Sequence, residues 1–249
     1  MTQNQTKKIK KSSKGVVAKI IAIIPARGGS KGIPRKNLIS FNKLPLVVNS
    51  IKHGLSSSLI ERVIVSTEDD EIAKISSENG AEIIKRPKEL ARDEVLDWPV
   101  FNNVLEELEK DEDPPEIIVH LRPTAPFRKT SWIDEAIELL IDNDKADSVR
   151  SVSHPVNHPY RVFRINNNGY LESIMGHEHP EPFLLRRQDL PPFYYYNCVI
   201  DVTRNVTIRK KKSMTGDHIL PFIMDGNDVI DIDTPRDLLI AKALFEELK

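Results

Sequence analysis

From Lys19 onward the chain alternates short, wholly apolar runs with stretches in which apolar residues return every three or four positions. Ile20-Ile21-Ala22-Ile23-Ile24 is apolar at successive positions, as in a strand covered on both faces, and Pro25 closes it. Val63-Ile64-Val65, Ala81 to Ile84 and Ile117-Ile118-Val119 repeat the pattern. Between these runs lie helical stripes. Leu46 to Leu55 is the first. The second has Thr67 as its expected N-cap, Asp69, Asp70 and Glu71 in its first turn, Ile72 and Ile75 facing inward, and Gly80 as its stop. Asp97 is the expected cap of a stripe made by Val100, Val104, Leu105 and Leu108. Thr130 or Ser131 opens another, with Ile133, Ile137, Leu140 and Ile141 on one side. Strands alternating with helices predict βαβ units and an α/β fold: a Rossmann-like, mostly parallel sheet flanked by helices.

The pattern breaks over residues 150–196, with Pro155, Pro159, Pro180, Pro182, Pro191 and Pro192 and a turn at Asn166 to Gly169. This reads as an inserted, loop-rich arm. Strands are expected again at Asn197 to Val202, Leu220 to Met224 and Val229 to Ile232. A last helix follows, with Thr234 as N-cap, Pro235 in its first position and Leu238, Leu239 and Leu244 along it. Residues 1–17, TQNQTKKIKKSSKG within them, read as a disordered basic tail, and residues 18–249 as one domain carrying the insertion.

Charge narrows the partners. Lys and Arg number 36 against 37 Asp and Glu, a formal net charge of -1, so no basic excess points to nucleic acid or an anionic membrane. No apolar run approaches the ~20 residues of a membrane span, so no membrane insertion is expected. The single cysteine, Cys198, excludes a disulfide scaffold; it fits a cytoplasmic setting and reads as a buried, inert thiol. Of the histidines, His154, His158, His177 and His179 lie in the insertion, and without cysteines beside them they read as loop residues rather than zinc ligands.

The candidate chemistry begins directly after the first strand, in Ala26-Arg27-Gly28-Gly29-Ser30-Lys31-Gly32-Ile33-Pro34-Arg35-Lys36-Asn37. Glycines allow backbone N–H groups to turn inward on an anion, and Arg27, Lys31, Arg35 and Lys36 add four cations. The carboxyl end of a strand is also where open α/β sheets bind ligands. The adjacent Gly28 and Gly29 do not make G-x-G-x-x-G, and Lys31 is followed by Gly32 rather than Ser or Thr, so neither common phosphate loop is present. A triphosphate is the expected ligand. Far downstream, Ile230-Asp231-Ile232-Asp233 alternates polar and apolar residues. On a strand it would set two carboxylates ~7 Å apart on one face. Such a pair holds Mg2+ together with substrate phosphates, or else simply faces solvent ahead of the last helix.

The glycine-basic loop resembles the nucleotide loop of the CMP-sialic acid synthetases (acylneuraminate cytidylyltransferases). Four further pieces resemble that family in order: Val65 to Asp69, Arg86 to Ala91, Arg122 to Arg128 and Ile230 to Thr234. The resemblance implies a nucleotide-diphospho-sugar transferase type of fold and a Mg2+-dependent transfer from CTP to a sugar acid, serving cell-surface polysaccharide biosynthesis. It implies that Arg27 and Lys31 are catalytic, that Ala26, Arg27, Gly28, Gly29, Ser30, Lys31, Lys36, Asn37 and Arg86 bind the nucleotide, and that Asp231 and Asp233 bind the metal. It places Arg122, Thr124, Arg187, Gln188 and Tyr195 at the sugar acid, and makes the insertion a dimerisation arm in a homodimer. The chain departs from the family where Arg122 replaces a glutamine and where a second arginine expected near Tyr195 is missing. Arg122 is then either a bidentate grip on the acid's carboxylate or a structural ion-pair residue. Two other functions stay open: a glycosyltransferase using a nucleotide sugar, since Asp231-Ile232-Asp233 is formally Asp-x-Asp, and a non-catalytic nucleotide-binding protein.

Overall fold

The computed structural model describes residues 18–110, 114–226 and 229–247, so the expected tail lies outside the described residues. The strands are β1 (Ile20–Pro25), β2 (Ser40–Phe41), β3 (Leu44–Pro45), β4 (Arg62–Thr67), β5 (Glu82–Lys85), β6 (Ile117–His120), β7 (Ser148–Ser153), β8 (Phe163–Ile165), β9 (Leu171–Ser173), β10 (Tyr195–Arg204) and β11 (Ile219–Ile223). The helices are α1 (Leu46–Ser56), α2 (Asp70–Glu78), α3 (Asp97–Glu109), α4 (Thr130–Ile141), α5 (Asn205–Lys210) and α6 (Pro235–Glu247). Seven strands form one sheet in the order β11-β7-β10-β6-β1-β4-β5. Neighbours pair in parallel except around β10, which runs antiparallel to both β6 and β7. The sheet is the mostly parallel α/β type expected.

Both faces of the central strands are covered, which is why they read as unbroken apolar runs. Ala22, Ile24, Val63, Val65 and Val119 pack under Val47 and Ile51 of α1 and Ile133, Ile137 and Leu140 of α4. Ile21, Ile23, Ile64 and Ile118 pack on the other side against Phe101, Val104, Leu105 and Leu108 of α3 and Ile208 of α5. Each such side chain contributes roughly 1.5–3 kcal/mol by leaving water. A smaller cluster joins Ile33, Phe41 and Leu46 to Ile232 and Ala241 of α6, with Phe41 edge-on to Phe127 and to Phe245 at 5.4 Å each. It ties the loop after β1 to the segment before α6.

Several local expectations are corrected. The cap of α2 is Asp69, whose carboxylate accepts from Ile72 N at 2.9 Å; Thr67 instead accepts the Asp69 amide. Leu96, not Asp97, precedes α3, because the Asp97 carboxylate is taken by Arg122. The strand expected at Val229 to Ile232 does not form; Ile232 N makes one bond, to Thr124 O at 2.9 Å. By contrast, Thr234 and Asp237 cap α6 reciprocally, with Pro235 in its first position. The main sheet keeps Ser148 to Ser153 and Tyr195 onward, so the arm outside it narrows to residues 154–194, which carry the β8–β9 ribbon. Among the described residues no helix is long and apolar enough to cross a membrane.

Candidate active site

The carboxyl ends of β1, β4 and β6 open into a cleft of about 390 Å³, lined among others by Arg27, Lys36, Asn37, Arg86, Arg122, Thr124, Cys198, Asp231 and Asp233. The glycine-basic loop forms one wall. Ala26 is fully buried and donates its amide to Ser66 O, fixing the loop's start to β4. Asn37 Nδ2 donates to Arg27 O at 2.8 Å and closes the loop on itself. Gly28 has its N–H on Glu68 Oε1 at 2.7 Å, and a Cβ there would lie 2.5 Å from the Asp69 carboxylate. Gly29 and Ser30 follow on the outer side of the turn, Gly29 exposed and Ser30 half-buried.

The loop's cations meet protein carboxylates. Arg27 and Lys31 share Asp93 at 2.7 and 2.8 Å, and Lys31 foremost draws the Asp93 carboxyl below its ordinary range. Arg35, in the left-handed backbone region at φ 54°, pairs with Asp69 and Glu71. Lys36 Nζ lies 2.7 Å from Asp233. Each carboxylate takes hydrogen bonds of the kind that a cationic cradle gives to an anion. Arg86 is buried beneath the cleft, donating to Ser66 Oγ and Ser66 O at 3.2 and 2.8 Å; its burial lowers its pKa, and Glu68 opposes that.

The acidic pair faces the loop although it is not on a strand. Ile232 is fully buried between half-buried Asp231 and exposed Asp233, so the alternation read from sequence survives. Gly32 approaches so closely that a Cβ would sit 2.3 Å from Asp233 O. One carboxylate oxygen of Asp231 is buried without a hydrogen-bond partner among the described residues. Burial, with Asp233 adjacent, raises the Asp231 carboxyl above its ordinary value against a hydrogen bond from Thr124. An orphaned, desolvated carboxylate oxygen beside a second carboxylate suits a hard divalent cation, so these residues fit Mg2+.

At the far end Arg122 makes three contacts. Its Nη1 donates to Tyr196 Oη at 2.8 Å and to Asp201 Oδ2 at 2.6 Å, and its Nη2 to Asp97 Oδ2 at 2.8 Å. Burial works against its charge, yet Asp201, Tyr196 and Asp97 hold its pKa above the ordinary guanidinium value. Among the described residues Arg128, which is buried, has only neutral hydrogen-bond partners, Val199 O, Ser50 Oγ and Arg122 O, and burial takes its pKa down to about 9. It braces the Arg122 turn against β10. There the pairing with β7 shifts between Tyr196 and Asp201, and Cys198 takes a left-handed φ of 62°. Cys198 is therefore half-buried and lines the cleft, rather than buried in a regular strand; burial raises its thiol pKa.

The sequence model of a family described as cytidylyltransferase matches residues 21–212. The chain belongs to the cytidylyltransferase family. Its relatives include the pseudaminic acid cytidylyltransferase of Campylobacter jejuni, 30% identical over 92% of this chain and 97% of that protein. The N-acylneuraminate cytidylyltransferase of Streptococcus agalactiae is 30% identical over 89% of this chain but only 52% of its own length. The chain thus spans about half of that relative. Among solved structures, a CMP:2-keto-3-deoxy-manno-octonic acid synthetase complexed with CTP has a TM-score of 0.69 at 15% identity, covering 93% of this chain and 100% of that one. That likeness supports the fold.

In this member of the family the fold gathers Arg27, Lys36, Asn37, Arg86, Arg122, Thr124, Asp231 and Asp233 into one cleft. It does not gather all expected sugar-acid residues there. Arg187 lines a different cavity of about 450 Å³ with His154 and His158, and Gln188 is exposed on the same short turn. Tyr195 starts β10, partly exposed. Sequence reasoning missed Asp93, Asp97, His120, Arg150, Tyr196 and Asp201. The available signal was a polar or charged residue inside an apolar strand run, as at His120 and Asp201.

Proposed function

We propose that this chain is a cytidylyltransferase that joins CTP to a 2-keto sugar acid of the nonulosonate or octulosonate type and releases pyrophosphate. The observation that carries the reading is the meeting of loop and acidic pair: Gly32 against Asp233 O, and Lys36 on the Asp233 carboxylate. A cationic cradle and a paired-carboxylate metal site in one cleft suit transfer at a phosphorus atom, where positioning and charge neutralisation dominate. The acid's anomeric hydroxyl oxygen forms the new bond to the α-phosphorus, the bond to the β-phosphate oxygen breaks, and the hydroxyl proton passes to water. Arg27 and Lys31 exchange Asp93 for phosphate oxygens, Lys31 neutralising the departing pyrophosphate. Ala26, Gly28, Gly29, Ser30, Lys36, Asn37 and Arg86 shape the nucleotide side. Asp231 and Asp233 would hold Mg2+, which when bound supplies charge neutralisation at the phosphates. Arg122 and Thr124 face the acid. Tyr195 would approach the acid from the start of β10, and Arg187 and Gln188 only from the arm, which fits a homodimer in which one protomer's arm serves its partner's cleft. The reading also places the protein in the cytoplasm, supplying activated sugar acids for cell-surface polysaccharide. At saturating Mg2+, Lys31→Ala and Asp231→Ala should each lose at least about 100-fold in turnover; parent-like turnover in both would refute the assignment.

A further inference from the structure

Strand register places His120 opposite Asp201, and Asp201 opposite Arg150, in one row across β6, β10 and β7. Arg122 follows His120 by two residues, and Asp97 enters from the first turn of α3. Asp201, fully buried, takes Arg122 Nη1 and Arg150 Nη1 on the same oxygen at 2.6 Å each. His120 Nδ1 lies 3.7 Å from that oxygen and 4.0 Å from the Asp97 oxygen that holds Arg122 Nη2. The imidazole is 2% exposed, rests on the Phe101 ring at 4.6 Å and lines the cleft. Neither of its nitrogens has a hydrogen-bond partner among the described residues. A buried, unpaired ring N–H is costly, so an occupied state of the site that pairs it is favoured.

His120 and Arg122 thus stand before the same two carboxylates, and only Arg122 touches them. The charged groups around the imidazole are Asp97 from α3, Arg122 and Arg128 beyond β6, Arg150 from β7 and Asp201 from β10, with the Tyr196 hydroxyl also on Asp201. Burial first, then Arg122, Arg150 and Arg128, hold the His120 pKa well below its ordinary value, so the ring is neutral while Arg122 stays in place.

We propose that His120 is a positioning residue that exchanges charge with Arg122: when Arg122 turns to the carboxylate of the acid substrate, His120 takes one proton from solvent and pairs with Asp97 and with the Asp201 oxygen on which Arg150 remains. This rests on the reading of Arg122 as the residue that grips the acid. The exchange keeps a second cation beside the Asp97 and Asp201 carboxylates, Arg150 remaining on Asp201 throughout. It also makes acid binding proton-linked, weakening by up to about tenfold per pH unit between the low pKa of His120 in the free protein and the higher pKa it acquires in the complex, and levelling off above that.

The ligand-free test is NMR of the full chain with labelled histidine, the His120 signal being assigned by its loss in His120→Gln. The parent signal should stay flat from pH 5 to 8. In Arg122→Gln it should titrate inside that window, and in Arg122→Lys, which keeps the cation, it should stay flat. A His120 that titrates in the parent, or stays flat in folded Arg122→Gln, overturns the exchange. The second readout is KM for whichever of N-acetylneuraminate, pseudaminate, legionaminate and 2-keto-3-deoxy-manno-octonate is turned over with CTP. It should climb with pH in the parent and lose that slope in His120→Gln, while KM for CTP does not move with the substitution. Equal slopes in parent and variant overturn the proposal. Turnover of none of the four acids would count against the proposed function, and the NMR arm would still decide the exchange.

Discussion

Asp201→Asn removes one charge and almost no volume from a fully buried carboxylate behind the cleft. Asp201 is fully buried and binds two guanidiniums at 2.6 Å. Among the described residues its loss leaves Arg150, whose side chain is 10% exposed, without a carboxylate, and leaves Arg122 with Asp97 as its one carboxylate. Stranding a buried charge in this way costs about 3–5 kcal/mol, roughly a fifth or more of the ~5–15 kcal/mol that holds a domain folded. With a urea dependence of ~3 kcal/mol per M, the unfolding midpoint should fall by about 1–2 M. Trp98, whose indole donates to Ile208 O, and Trp132, under Lys129, report the transition by fluorescence. Glu82→Gln is the matched control: it breaks the outward Arg62–Glu82 pair, where Glu82 is 50% exposed, and should cost at most about 1 kcal/mol. Asp201→Asn within about 1 kcal/mol of the parent would show that the cluster is not a desolvated ion-pair network.

Other outcomes follow from single contacts. Gly32→Ala forces a Cβ onto Asp233 O and should separate the loop from the acidic pair, lowering kcat/KM by about 100-fold with the circular dichroism of the fold unchanged; an active alanine variant would mean the approach is dispensable. His53 has a buried Nδ1 with no hydrogen-bond partner among the described residues, and burial with Arg128 nearby lowers its pKa from 6.5 to about 3. The unfolded chain therefore binds that proton first, and stability present above pH 6.5 is lost as the pH falls toward 3. At pH 5.5 the loss is about 1.4 kcal/mol from this group. His53→Gln should remove that part of the acid sensitivity in urea titrations at pH 7.5 and 5.5, and an unchanged difference would place the titration elsewhere.

The central strands were legible because burial on both faces leaves runs such as Ile20 to Ile24 with no polar position. Ser148 to Ser153 was not, because its serines and Arg150 look exposed until Asn197 and Asp201 of β10 satisfy them. Thr67 and Asp69 are both competent caps, and only the bond to Ile72 N distinguishes them. Asp97 has a cap's position but a partner 25 residues away, which no local pattern reveals. The acidic pair kept its alternation without a strand, since burial of Ile232 in the cluster with Ile33 and Phe41 is enough to turn the two carboxylates toward the cleft. The basic loop was legible as chemistry, but its closure on Asp93, Asp69 and Asp233 depends on elements brought in from three distant segments.

The most direct test of the central claim is release of pyrophosphate from CTP by the full chain with Mg2+ and each of the four sugar acids, read together with the mass of the nucleotide product. The account predicts pyrophosphate and a CMP-sugar acid in equal amounts with at least one acid, and neither without acid. Hydrolysis or transfer from a nucleotide sugar, with no acid-dependent pyrophosphate from CTP, would contradict it.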